Sequence, residues 1–186
     1  MNYYRDQITT KSWELLQRLV KKYHFILIGG WAVWLYTKAL KSKDIDLVVE
    51  FDQLEKLRQD FPLTKNERLK KYEIVQNEVQ IDVYVPHYSQ LGADIAATTQ
   101  LKGFTVPSPE TLIALKLVAH NHRSGSAKGR KDLIDIISLL TLPQLNWDQV
   151  PAEAAKLATA QTAMPELNLN PHQYSRLKKL CVDKLE

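Results

Sequence analysis

Asp44 and Asp46 stand two residues apart in an apolar run with Ile45, Leu47, Val48 and Val49, downstream of an adjacent pair of glycines, Gly29 and Gly30. Alternate residues of a strand point to one face, so the spacing predicts two carboxylates side by side. Like charges that close repel unless a cation lies between them. An oxygen-only pair suits Mg²⁺, which takes one or two protein carboxylates and completes its octahedron with water and substrate phosphates; Mn²⁺ accepts the same donors. Gly29 and Gly30 open an expected helix from Trp31 to about Leu40. Residues without a Cβ there let a phosphate approach backbone N–H groups at the positive end of the helix dipole. A phosphate cradle and a dicarboxylate metal site, joined by one helix, are the parts of chemistry that moves a nucleotide.

Those residues need a small sheet to hold them. Residues 3–22 read as an amphipathic helix, with Trp13, Leu16, Leu19 and Val20 near helical spacing and Lys21 and Lys22 at its end. Phe25 to Ile28 reads as a short central strand, and Asp44 to Val49 as a second, reached through the basic loop Lys41-Ser42-Lys43. Asp52 to Asp60 is expected to be a short helix opened by an Asp cap and ended ahead of Pro62. Tyr72 to Val75 and Val79 to Val85 predict a hairpin around Gln76-Asn77-Glu78, stopped by Pro86. Residues 87–100 read as a loop with a short helix, and Gly103 to Val106 as one more strand.

From Pro107 the pattern turns helical. Ser108 suits an N-cap and Pro109 a first helical position, with the helix running from Glu110 to about His122. Ser124 to Gly129 reads as a flexible loop before a helix from Arg130 to Leu140, and Pro143, Pro151, Pro165 and Pro171 punctuate the helical remainder. The expected fold class is therefore α+β. A small mixed sheet flanked by helices occupies residues 1–106, and a helical part packed on it occupies residues 107–186.

The order Gly-Gly, short helix, Asp-x-Asp in an apolar strand resembles the signature of the polymerase-beta-type nucleotidyltransferase superfamily. Gly29, Gly30, Asp44 and Asp46 match it. The superfamily's third carboxylate, on a later strand, corresponds to Asp82 in Gln80-Ile81-Asp82-Val83-Tyr84-Val85. The second half resembles the AbiEii-like and MenT-like toxin nucleotidyltransferases through Leu112-Ile113-Ala114-Leu115-Lys116 and Gly129-Arg130-Lys131-Asp132-Leu133-Ile134-Asp135. The likeness covers roughly residues 26–140.

What the resemblance implies is an Mg²⁺-dependent transfer of NMP from an NTP to an acceptor hydroxyl, with release of pyrophosphate. Asp44, Asp46 and Asp82 would hold two Mg²⁺ ions, Asp82 also addressing the attacking hydroxyl directly or as a general base. Gly29, Gly30, Lys43, Lys116 and Arg130 would bind the NTP, and Asp132 would orient Lys116. The implied acceptor is a tRNA 3′ end, the implied role a toxin of a toxin–antitoxin system, and the implied protein partner a cognate antitoxin. A small-molecule acceptor, as in antibiotic-modifying relatives with a similar Gly-Gly-Trp-Ala start, is the second reading. A non-catalytic antitoxin or regulatory module with the same fold is the third, although intact Asp44, Asp46 and Asp82 argue against it.

Each secondary candidate has a plainer alternative. Lys116, in an apolar stretch, faces either the exposed stripe or a cleft. Asp132 in a first helical turn also complements the dipole. Trp31 and Trp34 fit the core, with Trp31 also placed to flank a nucleobase; Tyr84 shares the face of Asp82. His24, His87, His120, His122 and His172 form no zinc spacing with each other or with Cys181, and neither a P-loop nor a nucleophile elbow is present.

The bulk properties exclude more than they assign. The 186 residues suffice for a core without staples, and a single cysteine excludes an internal disulfide framework, which suits a cytoplasmic protein. No signal-peptide order and no apolar run near 18 residues predict a chain without a membrane span. A net charge of +4, from 25 basic and 21 acidic residues, is compatible with a polyanionic partner without requiring one.

Overall fold

A computed structural model describes residues 2–89, 95–123 and 125–160, with side chains described from residue 6 to residue 156 within those spans. Two compact units result, Met1–Ser108 and Pro109–Glu186. The expected change at Pro107 falls two residues earlier than this division.

The first unit is a seven-stranded mixed sheet with helices, the α+β core expected from the sequence. Its elements are α1 (Asn2–Lys22), β1 (Ile26–Ile28), α2 (Gly29–Thr37), β2 (Ile45–Val48), α3 (Phe51–Asp60), β3 (Thr64–Asn66), β4 (Lys71–Gln76), β5 (Val79–Tyr84), β6 (Thr98–Leu101) and β7 (Phe104–Pro107). The strand order is β3-β4-β5-β2-β1-β7-β6. At its centre β1 runs antiparallel to β2, while β2 runs parallel to β5 and β1 parallel to β7. One face of the central strands is wholly apolar: Leu27, Ile45, Leu47, Ile74, Ile81 and Val83 are each 0% exposed. Burying a side chain of this size stabilises by about 1.5–3 kcal/mol, so these alternate positions fix the register and leave the opposite face to the polar residues.

Most elements differ from expectation at their ends, but β3 has no counterpart in the sequence reading, and β6 is a strand at Thr98–Leu101 where a loop with a short helix is expected over 87–100. The second strand begins at Ile45, which leaves Asp44 just outside it. The helix after the glycines begins at Gly29 and closes at Thr37, because Lys38 turns left-handed (φ 58°) and its amide donates to the Trp34 carbonyl. At α3 the N-cap is Glu50, without a side-chain bond, so Asp52 is a first-turn residue rather than the cap. The short edge strands β3 and β6 are polar and carry no alternating apolar signal. Pro165, Pro171, His172 and Cys181 lie outside the described residues, as do residues 90–94, where part of the expected short helix falls.

The second unit contains α4 (Pro109–Arg123), α5 (Ala127–Leu140) and α6 (Gln149–Ala160), with α4 packed on both α5 and α6. Its connections are tied by side chains of α4. Glu110 Oε1 accepts from the Asn146 amide at 2.7 Å, and Thr111 Oγ1 donates to Glu153 at 2.9 Å. The expected loop before α5 is shorter than the sequence suggested, since Ser126 caps the helix by accepting from the Gly129 amide at 3.0 Å. Lys128 is therefore helical, and Arg130 and Lys131 are not the start of the helix but its second turn.

The hairpin β4–β5 turns on two residues, Asn77 (φ 49°) and Glu78 (φ 69°), the doubly left-handed pattern of a type I′ turn. Asparagine tolerates that conformation and glutamate does not. Glu78→Gly is expected to relieve roughly 1–2 kcal/mol of strain against about 0.5–1 kcal/mol of added chain entropy, a net gain of several tenths. The exposed pair of Glu78 with Lys11 (2.5 Å) offsets little of it. Urea unfolding measures the change; a loss of stability would show that the turn is not strained.

Candidate active site

The register of the sheet gathers the site. Ile28 pairs with Asp46 across β1 and β2, which puts the next residue, Gly29, against the Asp46 side chain. Gly29 takes φ +67°, and a Cβ built there would lie 2.0 Å from Asp46 Oδ2 and 2.6 Å from its Cγ. Only glycine satisfies both the left-handed backbone and the absence of space. The chain then enters α2 directly, with no acidic residue in its first turn, and Gly30 is buried. A backbone turn at the positive end of a helix dipole thus touches a carboxylate.

Asp46 pairs in register with Asp82 across β2 and β5, and Asp82 with Glu73 across β5 and β4. In-register neighbours share a face, so Asp46, Asp82 and Glu73 form a row of carboxylates spaced by about 4.8 Å per strand. Asp44 lies one residue before β2, and both it and Asp46 are half-buried. Lys43, beside them, is exposed. Tyr84 follows Asp82 on the same face and is half-buried.

Asp82 is held by the chain's own donors. Lys71 Nζ donates to Asp82 Oδ2 at 2.5 Å, and Gln80 Nε2 donates to Oδ1 at 2.9 Å. The same ammonium lies 3.1 Å from Glu73 Oε1. Burial alone would push the Lys71 ammonium toward its neutral form, but Asp82 and then Glu73 outweigh it and hold its pKa above the ordinary lysine value. Lys71 was missed in the sequence, where it reads as the end of a basic stretch. Its signal is positional, since it precedes Glu73 by two on β4 and stands diagonally across from Asp82.

Among the described residues, no three His, Cys, Asp or Glu side chains converge as a ready cluster for a metal. The donor chemistry at Asp44 and Asp46, carboxylate oxygens two residues apart, is of the kind Mg²⁺ takes, and the Gly29 turn at the start of α2 packs on Asp46. Two surface hollows lie elsewhere in this unit. One of about 440 Å³ is lined by α1 and the β4–β5 turn. The other, of about 650 Å³, includes Ile26, Val48, Glu50 and Thr105. Neither is lined by Gly29, Asp44, Asp46 or Asp82, and the donor geometry, rather than the depth of a hollow, defines this site. Trp31 is 1% exposed, stacks on Trp13 and donates Nε1–H to Ser12 Oγ at 2.8 Å, so it belongs to the core and does not flank a base.

In the second unit Lys116 is neither on an exposed stripe nor unpaired. It is 7% exposed, and its Nζ donates to Asp132 Oδ1 at 3.0 Å and lies 2.6 Å from Asp135 Oδ2. The Asp135 contact is an ion pair by distance, without a well-aligned hydrogen bond. Arg123 grips Asp132 with both prongs, at 2.7 and 2.9 Å. Burial would raise the Asp132 carboxyl, but Arg123 and Lys116 together hold it below the ordinary 3.8. Arg130 and Lys128 are exposed in the first turns of α5.

The chain's fold is similar to that of several solved structures. It aligns with JHP933 from Helicobacter pylori at TM-score 0.51 and 15% identity, over 95% of this chain and 93% of that one. It aligns with the Megavirus polyadenylate synthase at TM-score 0.51 and 14% identity, over 77% of this chain but 32% of that longer one. An antigenic nucleotidyltransferase-like protein from Paracoccidioides brasiliensis aligns at TM-score 0.47 and 22% identity, over 93% of each chain. No family model and no curated protein sequence matches the chain. At 14–15% identity, the likeness to JHP933 and the polyadenylate synthase is one of fold.

Two outcomes follow from this geometry. Gly29→Ala is expected to cost about 1–3 kcal/mol through backbone strain, with further loss as Asp46 is displaced. A denaturant midpoint equal to wild type would remove the close approach. Asp132→Asn is expected to cost about 1.5–3 kcal/mol at neutral pH, by taking one of the two anions from buried Lys116 and the charged partner from Arg123. Because the folded Asp132 pKa is lowered, its contribution is complete above the unfolded value of 3.8 and disappears as pH falls through the folded value. The wild-type advantage over Asp132→Asn should therefore shrink below about pH 4. Melting curves from pH 7 to 2 test it, and a difference that stays constant refutes it.

Proposed function

We propose that this chain is an Mg²⁺-dependent nucleotidyltransferase that moves NMP from an NTP to an acceptor hydroxyl. The observation that carries the reading is the Gly29 turn set against Asp46, with Asp82 in register on the next strand. Asp44 and Asp46 would hold Mg²⁺, and Gly29 and Gly30 the β- and γ-phosphates. When bound, the metal would offset negative charge on the phosphates during transfer. The acceptor oxygen bonds to the α-phosphorus, the bond to the β-bridging oxygen breaks, pyrophosphate leaves, and Asp82 accepts the hydroxyl proton. Lys43 is the proposed cationic partner of the triphosphate in this unit, whereas Lys116 is charge-balanced within the second unit by Asp132 and Asp135.

For the acceptor we favour an RNA 3′ hydroxyl, a tRNA end in particular, with the chain serving as the toxin of a toxin–antitoxin pair. Exposed Lys128 and Arg130 support a polyanionic acceptor, and one fold neighbour is a polyadenylate synthase. A small-molecule acceptor is the second reading. It draws support from the 650 Å³ hollow, where Val48 lies two residues beyond Asp46 on the same face of β2.

The test is incubation with labelled NTPs, Mg²⁺ and total RNA. Label is expected to enter tRNA, while Asp44→Asn and Asp46→Asn abolish transfer and still melt cooperatively as folded proteins. Near-wild-type turnover in either variant would sink the metal-site reading. Label entering no RNA, but entering a cationic small molecule, would transfer the reading to the second acceptor class.

A further inference from the structure

Lys71 is a buried ammonium on the face of the sheet that carries the carboxylates, and the proposed reaction does not use it. It is 8% exposed and opens β4 with Nζ between Asp82 Oδ2 (2.5 Å) and Glu73 Oε1 (3.1 Å). Gln80 takes the other oxygen of Asp82 at 2.9 Å. Each Asp82 oxygen therefore has a donor already, with a lone pair left for one more. The carboxylate that would recruit a second divalent cation already faces a positive charge. A buried lysine cannot leave its anions cheaply, because unpaired burial of the charge is costly. A second divalent ion on Asp82 would also sit within a few ångströms of the ammonium and be repelled by it.

We infer that Lys71 is a positioning residue that supplies the positive charge on the Asp82 side of the site, so that the site takes one divalent cation, at Asp44 and Asp46, in place of two. The inference rests on the nucleotidyl-transfer reading. It assigns Lys71 two tasks, fixing the direction of the Asp82 carboxylate toward an acceptor hydroxyl and balancing the in-register pair Asp82 and Glu73. Without that ammonium, two like charges facing each other across adjacent strands would attract a cation from solution.

The test counts Mn²⁺ bound per chain by electron paramagnetic resonance, on the full-length protein with a non-hydrolysable NTP analogue. Wild type is expected to bind one ion, Lys71→Met two, and Lys71→Arg one again. Asp82→Asn, which leaves Lys71 paired with Glu73, is expected to keep the count at one, where a two-metal site would fall from two to one. That second variant decides the matter if Lys71→Met does not fold. Two ions in wild type, or a folded Lys71→Met that still binds one, overturns the inference and leaves nucleotidyl transfer standing. No ion bound by wild type overturns nucleotidyl transfer itself, and the inference with it.

Discussion

The contact of Gly29 with the Asp46 carboxylate is the constraint on which the first unit turns. A Cβ at Gly29 would stand 2.0 Å from Asp46 Oδ2, so backbone and carboxylate occupy space that any other residue would need. The positive φ of Gly29 lets β1 pass into α2 without an intervening loop. The antiparallel pairing of Ile28 with Asp46 then locks Gly29 and Asp46 together, because a slip of one residue would turn Asp46 into the core. The Gly29 turn and the Asp46 carboxylate are thereby parts of one packed arrangement.

Burial pattern carries the same constraint outward. Ile45 and Leu47 are fully buried on one face of β2, which forces Asp46 onto the other. On β5 the alternation of Val79, Ile81 and Val83 with Gln80, Asp82 and Tyr84 does the same. Parallel pairing of these two strands brings Asp46 and Asp82 level, although they are far apart in sequence. The apolar residues therefore decide where the polar ones stand. The free energy of burial supplies the alignment that a row of repelling carboxylates could not supply for itself.

Much of this was legible in the sequence because it is local. The glycines, the short helix, the Asp-x-Asp strand and the hairpin each announce themselves through period or turn chemistry within a dozen residues, and the mixed-sheet fold class follows from their order. What stayed hidden depends on side chains meeting across elements. Lys71 looks like the end of a basic stretch until hairpin register sets it diagonally across from Asp82. Lys116 in an apolar helix admitted two directions, and only the packing of α5 on α4 reveals Asp132 and Asp135 as its partners. The polar edge strands Thr64–Asn66 and Thr98–Leu101 lack any inward apolar face, so their pairing comes from neighbours rather than from their own residues. The cap at Ser126 moved the start of α5 because serine competes well for that position, while Gly129 one turn later disguised the helix as a loop.

Lys71 and Lys116 show one physical device used once in each unit. Each ammonium is under 10% exposed, and each is set between two carboxylates, Asp82 and Glu73 in the first case, Asp132 and Asp135 in the second. A buried lysine with one anion would form a neutral pair. With two it leaves a net negative charge in a low-dielectric setting, where that charge has long reach. In the second unit Arg123 closes the balance by gripping Asp132, giving two cations for two anions. In the first, the balance of the whole row must also include Asp44 and Asp46 on the adjoining strand region. The carboxylate row is therefore compensated at its Asp82 end by a residue fixed in the fold. Asp46, beside the glycine turn, stands at the end of the row away from that fixed ammonium.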